Sequence, residues 1–369
     1  SDTLRVTHHA SRVTTQEVFV VASTLEELQD MQRQAEEAAA RGTIEGDREV
    51  TYRDALREAI VEEMERDEKV FLIGEDIGAY GGSYVVTRGF QETYGRKRVI
   101  DAPIAELGIV GAAVGAAMGG LRPIVELMTI NFSLLAIDQI VNHAAKIHYM
   151  FGGQFTAPVV IRTASGWGQL GATHSQTFEG WFAHIPGLRV VMPSTPRDAK
   201  GFLKQALRGN DPVMFIEHSL IYRNRGVIPD GDFTLPLEGA EVRREGTDIT
   251  LVSWSRGVYL ALGAAEELAE QGINAEVIDM RVLRPLDIET VVKSVEKTNR
   301  LVIVEESWRT MGLGAEIAAA VQEHAFDYLD APIGRVGSIE VPMPYAKNLE
   351  RLIIPGKDEV VTAVKEALA

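Results

Sequence analysis

Cysteine is absent from all 369 residues. That excludes a disulfide scaffold, a thiolate metal site and cysteine nucleophilic catalysis. Positive charge is in deficit: 37 Lys and Arg stand against 53 Asp and Glu, a net charge of −16. A chain this acidic is a poor general binder of nucleic acid or anionic membrane, and neither is expected as a partner. Long hydrophobic runs are missing too. The longest, Leu107 to Leu121, has 15 residues, is rich in Gly and Ala, and is closed by Arg122 and Pro123. A membrane span needs roughly 20 residues, so this run reads as a buried helix. Val18 to Ala22 is too short for a signal-peptide core and follows no basic run, so no targeting segment is expected. There is no GxxxxGK(S/T) loop, no GxGxxG opening a helix after a strand, no GxSxG elbow and no HExxH. His143 and His148 are five apart and do not share a helix face, which makes them a poor metal pair.

What is present points to a soluble globular chain with a large core. Hydrophobic residues make up 46% and charged residues 24%, and the length exceeds one ordinary domain. Residues 1–48 differ in character. Thr24 to Arg41 reads as a polar helix capped by Ser23 or Thr24 and broken by Gly42 to Gly46. From Val50 a new rhythm begins. Thr51 to Glu65 reads as an amphipathic helix capped by Thr51, with Asp54 three residues on. Short apolar strands follow at Val70–Gly74, Arg98–Ile100, Ile124–Met128, Val159–Arg162, Arg189–Met192 and Val213–Ile216. Helical stretches at Ile109–Met118, Ser133–Met150 and Pro196–Arg208 separate them. Such alternation predicts α/β architecture with a mainly parallel, helix-covered sheet.

Pro229, Gly231, Pro236 and Gly239 mark a linker. The alternation then resumes, with strands at Ile249–Trp254, Ala275–Ile278 and Leu301–Glu305 and helices at Gly257–Gln271, Ile288–Lys297 and Gly314–His324. The expected division is an extension at 1–48, a first α/β domain at 49–230, a linker at 231–246 and a second α/β domain at 247–369.

The most informative stretch runs from Asp101-Ala102-Pro103 through Glu106 to Gly115. A carboxylate opens an otherwise apolar helix. Glu106 can be a first-turn acid complementing the helix dipole. Equally, its small apolar surroundings would desolvate it, and a buried carboxylate has a raised pKa and can share a proton. Gly111, Gly115 and Gly119 lie on one face and allow another helix to approach closely.

Glu106, Gly111, Ala112 and Gly115 also match the E-x4-G-Φ-x-x-G pattern of thiamine diphosphate enzymes. Around them stand Gly74-Glu75-Asp76, Gly120-Leu121-Arg122-Pro123, Asn131-Phe132-Ser133, Asp138-Gln139, His174-Ser175-Gln176 and Pro186-Gly187-Leu188-Arg189-Val190-Val191. In this order the set resembles the β subunit of the decarboxylating dehydrogenase component of 2-oxo acid dehydrogenase complexes, from Val50 to the C-terminus. The resemblance implies a transketolase-like pyrimidine-binding domain followed by a transketolase C-terminal-like assembly domain.

It further implies site residues. Glu106 would hydrogen-bond the cofactor's pyrimidine nitrogen N1′. Phe132 would pack against the pyrimidine, although alone it reads as a core residue. His174 would handle protons as the acyl group passes to a lipoyl arm, although a lone loop histidine is commonly structural. Ile104 and Met128 would lie near the ring and could equally be core. Potassium at the backbone of Val159, Ala206, Gly209 and Asp211 is a further possibility within the family. Thiamine diphosphate is the implied cofactor, its magnesium held by an α subunit, since the GDG…NN signature of diphosphate-metal binding does not occur here. The implied partners are that α subunit, in a two-α two-β heterotetramer, and a lipoyl-bearing acyltransferase component. The implied reaction is oxidative decarboxylation of a 2-oxo acid, with pyruvate first and a branched-chain 2-oxo acid second. A non-catalytic scaffold of the same fold is the alternative from another class. The implied location is the cytoplasm of a prokaryote or the mitochondrial matrix of a eukaryote. Glu305-Glu306 and the Gly312-Leu313-Gly314 turn read equally as interface features or as a solvated loop.

Overall fold

The computed structural model describes residues 47–166 and 170–369. The expected Thr24–Arg41 helix lies outside the described residues. In chain order the strands are β1 (Arg48–Thr51), β2 (Val70–Gly74), β3 (Val99–Asp101), β4 (Arg122–Leu127), β5 (Val160–Ser165), β6 (Arg189–Val191) and β7 (Val213–His218). Then come β8 (Arg225–Ile228), β9 (Glu241–Arg244), β10 (Ile249–Ser253), β11 (Ala275–Asp279), β12 (Val282–Arg284), β13 (Leu301–Trp308) and β14 (Gly334–Ser338).

One seven-stranded sheet has the order β12-β6-β7-β5-β4-β2-β3, and a five-stranded sheet has the order β14-β13-β10-β11-β9. Both are parallel except at an edge, where β12 runs antiparallel to β6 and β9 antiparallel to β11. β1 and β8 form a separate antiparallel pair. The central strands are buried along their whole length, as in β2, β5, β7, β10 and β11. Strands covered by helices on both faces have no wet side; β2 is accordingly apolar throughout, and polar residues in the others, such as Arg162 of β5 and Glu217 of β7, are buried and paired with one another.

The helices begin where their caps dictate. Thr51 accepts the Asp54 backbone N–H at 3.1 Å and opens Tyr52–Arg66. Thr195 does the same for Asp198 at 3.1 Å, with Pro196 as the first helical residue of Pro196–Arg208. These two helices pack together on one face of the first sheet. Lys200 and Lys204 are buried between them and pair with Glu62.

Three expectations are corrected. Ser133–Met150 is not one helix. It divides into a 3-10 segment Ile130–Ala136, a π segment Gln139–Ala144 and a short α-helix Ile147–Met150. The π turn closes with the Ala145 N–H donating to the Ile140 carbonyl at 3.1 Å. The Ala145 carbonyl is met by Gly187, at φ +90°, where any Cβ would collide with it. Tertiary packing against that turn has overridden the helical periodicity. Second, the expected 231–246 linker contains β9, an edge strand of the second sheet. Third, β12 belongs by sequence to the second half yet completes the first sheet, so the sheets interlock across the expected boundary. The helix Lys357–Leu368, not expected from the sequence, packs on Arg256–Glu270. Among the described residues no helix is long and apolar enough to cross a membrane.

Candidate functional site

Four adjacent strands of the first sheet, in the order β5-β4-β2-β3, end on the same edge because they are parallel. Just beyond their carboxyl ends stand Glu75 after β2, Glu106 after β3, Met128 and Phe132 after β4, and His174 after β5. In open α/β sheets this edge is where loops leave a crevice for ligands.

Glu106 is the first residue of the Glu106–Met118 helix, and its exposure is 5%. Glu75 was quoted from sequence only as part of Gly74-Glu75-Asp76. The structure places it beside Glu106. Burial, and then the neighbouring Glu106 charge, push the Glu75 carboxyl above the usual range, while a hydrogen bond from the Ala105 backbone opposes them. Its Oε1 is buried without a partner. Two neighbouring carboxyls, one with a raised pKa, form a pair suited to holding a proton. No local pattern marks Glu75. Its role is visible only because β2 and β3 are neighbours and Gly74 pairs with Asp101.

Phe132 and His174 meet edge to face, with ring centroids 5.3 Å apart and planes at 83°. The Thr173 hydroxyl lies 3.0 Å from His174 Nδ1. Gln176 donates to Asn131 Oδ1 at 3.2 Å, and Asn131 donates to the Thr129 hydroxyl at 3.0 Å. These bonds tie the His174 segment to the turn after β4. Ile104 is 83% exposed, and Met128 is half-buried. Neither is a plain core residue.

The glycine face divides. A Cβ at Gly111 would sit 3.2 Å from the Gln139 amide, whereas Gly115 faces open space and Gly119 caps the helix. Within this chain only Gly111 supports close packing. Leu107 is exposed on the same helix, so an apolar surface remains uncovered along it.

Of the four residues expected to offer carbonyls to potassium, Ala206, Gly209 and Asp211 line one small cavity of about 200 Å³. The Val159 carbonyl accepts the Val213 N–H at 2.9 Å. Arg122 donates to the Leu207 carbonyl at 2.9 Å and the Gly209 carbonyl at 2.7 Å. At Gly209 the protein itself thus supplies the positive charge that an alkali cation would bring. His143 and His148 do not converge: His143 faces Asp138, and His148 Nδ1 lies 2.9 Å from the Phe155 carbonyl.

Below the crevice the sheet carries a buried ion triad. Arg162 holds Glu126 at 2.7 Å and Glu217 at 2.6 Å, and Tyr222 donates to Glu217 at 2.6 Å. Glu305 and Glu306 lie neither on an exposed surface nor in a solvated loop. Both are buried in β13, Glu305 with Arg335 at 2.6 Å and Glu306 with His218 at 2.5 Å and Arg256 at 2.6 Å. Burial alone would raise the Glu306 pKa, but those two neighbours hold it below the ordinary range. The pair His218–Glu306 clamps the first sheet to the second.

Residues 48–224 match the transketolase pyrimidine-binding domain, and residues 238–360 match the transketolase C-terminal domain. The chain is 52% identical over 318 residues to the pyruvate dehydrogenase E1 component subunit beta of Rhizobium meliloti, covering 86% of this chain and 69% of that one. It is 49% identical over 334 residues to the mitochondrial subunit beta-2 of the same component from Oryza sativa subsp. japonica, covering 89% of each. The corresponding Rickettsia felis subunit is 49% identical over 319 residues, covering 86% of this chain and 98% of that one. A solved split-gene transketolase, described as an inactive beta4 tetramer, superimposes with a TM-score of 0.70 at 25% identity, over 86% of this chain and 98% of that chain.

Proposed function

Because this chain belongs to the family of pyruvate dehydrogenase E1 component β subunits, built on transketolase pyrimidine-binding and C-terminal domains, we propose that it contributes the pyrimidine half of a thiamine diphosphate site for oxidative decarboxylation of a 2-oxo acid, pyruvate. The gathering of Glu75, Glu106, Phe132 and His174 at one sheet edge is the observation that most supports this. The residues fit the group. Two carboxyls, one with an unpartnered buried oxygen, share this sheet edge with exposed Ile104 and half-buried Met128 and Phe132. A flat ring with basic nitrogens needs that combination of acid and apolar surface.

When bound, thiamine diphosphate supplies the carbon nucleophile and the electron sink for decarboxylation. Glu106 would hold a proton at the pyrimidine N1′, and Glu75 beside it would keep a second acid within reach of that proton. Phe132, Met128 and Ile104 would offer the ring its apolar contacts. His174, oriented by Thr173 and Phe132, moves a proton while the acyl group passes to a lipoyl arm. Diphosphate and magnesium fall to an α partner, because this sequence lacks GDG…NN. The assembly is two α and two β chains serving a lipoyl-bearing acyltransferase, in the prokaryotic cytoplasm or the mitochondrial matrix. A potassium ion near Val159, Ala206 and Asp211 would be structural.

The test uses the reconstituted αβ enzyme. Glu106→Gln removes the carboxylate and is expected to slow C2 hydrogen–deuterium exchange of the bound cofactor and every later step together. Loss of one positioned acid–base group costs about 10²–10⁴-fold. His174→Ala is expected to spare C2 exchange and to depress lipoyl acylation more than decarboxylation with an artificial electron acceptor. Wild-type C2 exchange in Glu106→Gln would refute the assignment of Glu106.

A further inference from the structure

Two contacts from the second domain bound the segment that carries His174. At its start, Gly171 lies against Tyr345, where a Cβ would be 3.7 Å from the ring carbon Cδ2. At its end, Trp254 donates its indole N–H to Glu179 Oε1 at 3.3 Å. Trp254 directly follows β10 in the second sheet, and Glu179 opens the helix Glu179–Ala183 of the first domain, five residues after His174. Both are buried, at 4% and 1% exposure. Glu179 Oε2 has no hydrogen-bond partner, and among the described residues the indole N–H is the only side chain that donates to this carboxyl.

The geometry explains how a distant residue reaches the imidazole. Between Gly171 and Glu179 the segment has no regular secondary structure, so its shape is set by what holds it. Gln176 ties its middle to Asn131 at 3.2 Å, within the same domain. Glu179 closes it from the other side. Glu179 directly follows Phe178, so a displaced carboxyl would be passed back along Phe178, Thr177 and Gln176 toward the ring-to-ring contact of His174 with Phe132. Burial raises the Glu179 pKa to about 7, with Glu305 and Glu306 adding to the rise. Near neutral pH a protonated, uncharged carboxyl is therefore accessible, and as a neutral acceptor of the indole N–H it can be reproduced by an amide.

We infer that Trp254 is a positioning residue for the reaction: acting through Glu179, the second domain sets the placement of His174. The inference rests on the proposed role of His174 in lipoyl acylation. Its structural half, the holding of residues 170–178, does not depend on that role.

The experiment uses the assembled αβ holoenzyme with a lipoyl domain as acyl acceptor. Trp254→Phe keeps the ring and removes the donor. Glu179→Ala removes the acceptor, whereas Glu179→Gln keeps an acceptor oxygen. The readouts are the ratio of lipoyl acylation to artificial-acceptor decarboxylation, and amide hydrogen exchange across residues 170–178. A misplacement of about 1 Å can cost about 10²-fold. Loosening is expected to lower the acylation ratio about tenfold in Trp254→Phe and in Glu179→Ala, and no further in the double variant. Exchange across 170–178 should quicken in the same variants, and Glu179→Gln should stay near wild type on both readouts. Wild-type exchange and ratio in Trp254→Phe would overturn the inference, as would Glu179→Gln falling as far as Glu179→Ala. His174→Ala is run alongside. If it leaves the ratio unchanged, the role of His174 has failed, and the exchange readout alone then decides whether Trp254 holds the segment.

Discussion

Asp279 sits at the carboxyl end of β11, fully buried where the second sheet faces the first domain. The Ser194 hydroxyl donates to one of its oxygens, and the Arg281 backbone N–H donates to the other at 3.1 Å. Burial, and then the nearby Asp198 charge, push its pKa to about 7, against the pull of Ser194, Arg243 and Arg281. Unfolding returns the carboxyl to an ordinary value near 4. Between those limits the folded state binds the extra proton, so stability contributed by this group is present at low pH and lost as pH rises through 7. Linkage over the interval from pH 5.5 to pH 8 gives a loss of about 2 kcal/mol. Asp279→Asn keeps the shape and an acceptor for Ser194 but cannot titrate. The expected outcome is that the stability difference between pH 5.5 and pH 8, from urea unfolding of the assembled enzyme, is smaller by about 2 kcal/mol in the variant. Glu179 shifts the wild-type curve in the same direction but is common to both proteins and cancels. If wild type and Asp279→Asn lose stability in parallel over this interval, the carboxyl does not carry the proton and the reasoning is wrong.

Gly115→Leu places a large side chain where this chain leaves open space. The isolated chain should keep its thermal stability while assembly with the α partner weakens by about 1–3 kcal/mol, measured by sedimentation. Arg162→Met leaves Glu126 and Glu217 buried without their cation and should cost about 3–5 kcal/mol in urea unfolding; a loss below ~1 kcal/mol would mean that the triad is not electrostatically coupled. The isolated chain should bind thiamine diphosphate weakly even with magnesium, for want of the diphosphate half of the site, and tight binding by calorimetry would contradict the shared site.

The sequence alone determined the local features and the kind of chemistry. Thr51 and Thr195 caps, the Pro at the start of Pro196–Arg208 and the unbroken apolar run of β2 are encoded within a few residues, where propensity and capping act directly. The Glu106 helix opening, with its glycines, and the lack of GDG…NN also lie within one reading window. Through the family resemblance they imply half of a cofactor site. Tertiary structure decided the rest, because those outcomes depend on residues far apart in the chain. Ser133–Met150 has helical composition, yet the close approach of Gly187 to Ala145 breaks it. β12 reads as part of the second domain, but its pairing with β6 assigns it to the first sheet. Glu305 and Glu306 look like surface acids until Arg335, Arg256 and His218 close over them from other elements. Glu75 becomes an acid–base neighbour of Glu106 only when parallel pairing brings the ends of β2 and β3 together. The contact of Trp254 with Glu179 spans 75 positions. A side chain's titration and its reach depend on burial and on neighbours supplied by the whole fold, and no local spacing encodes either.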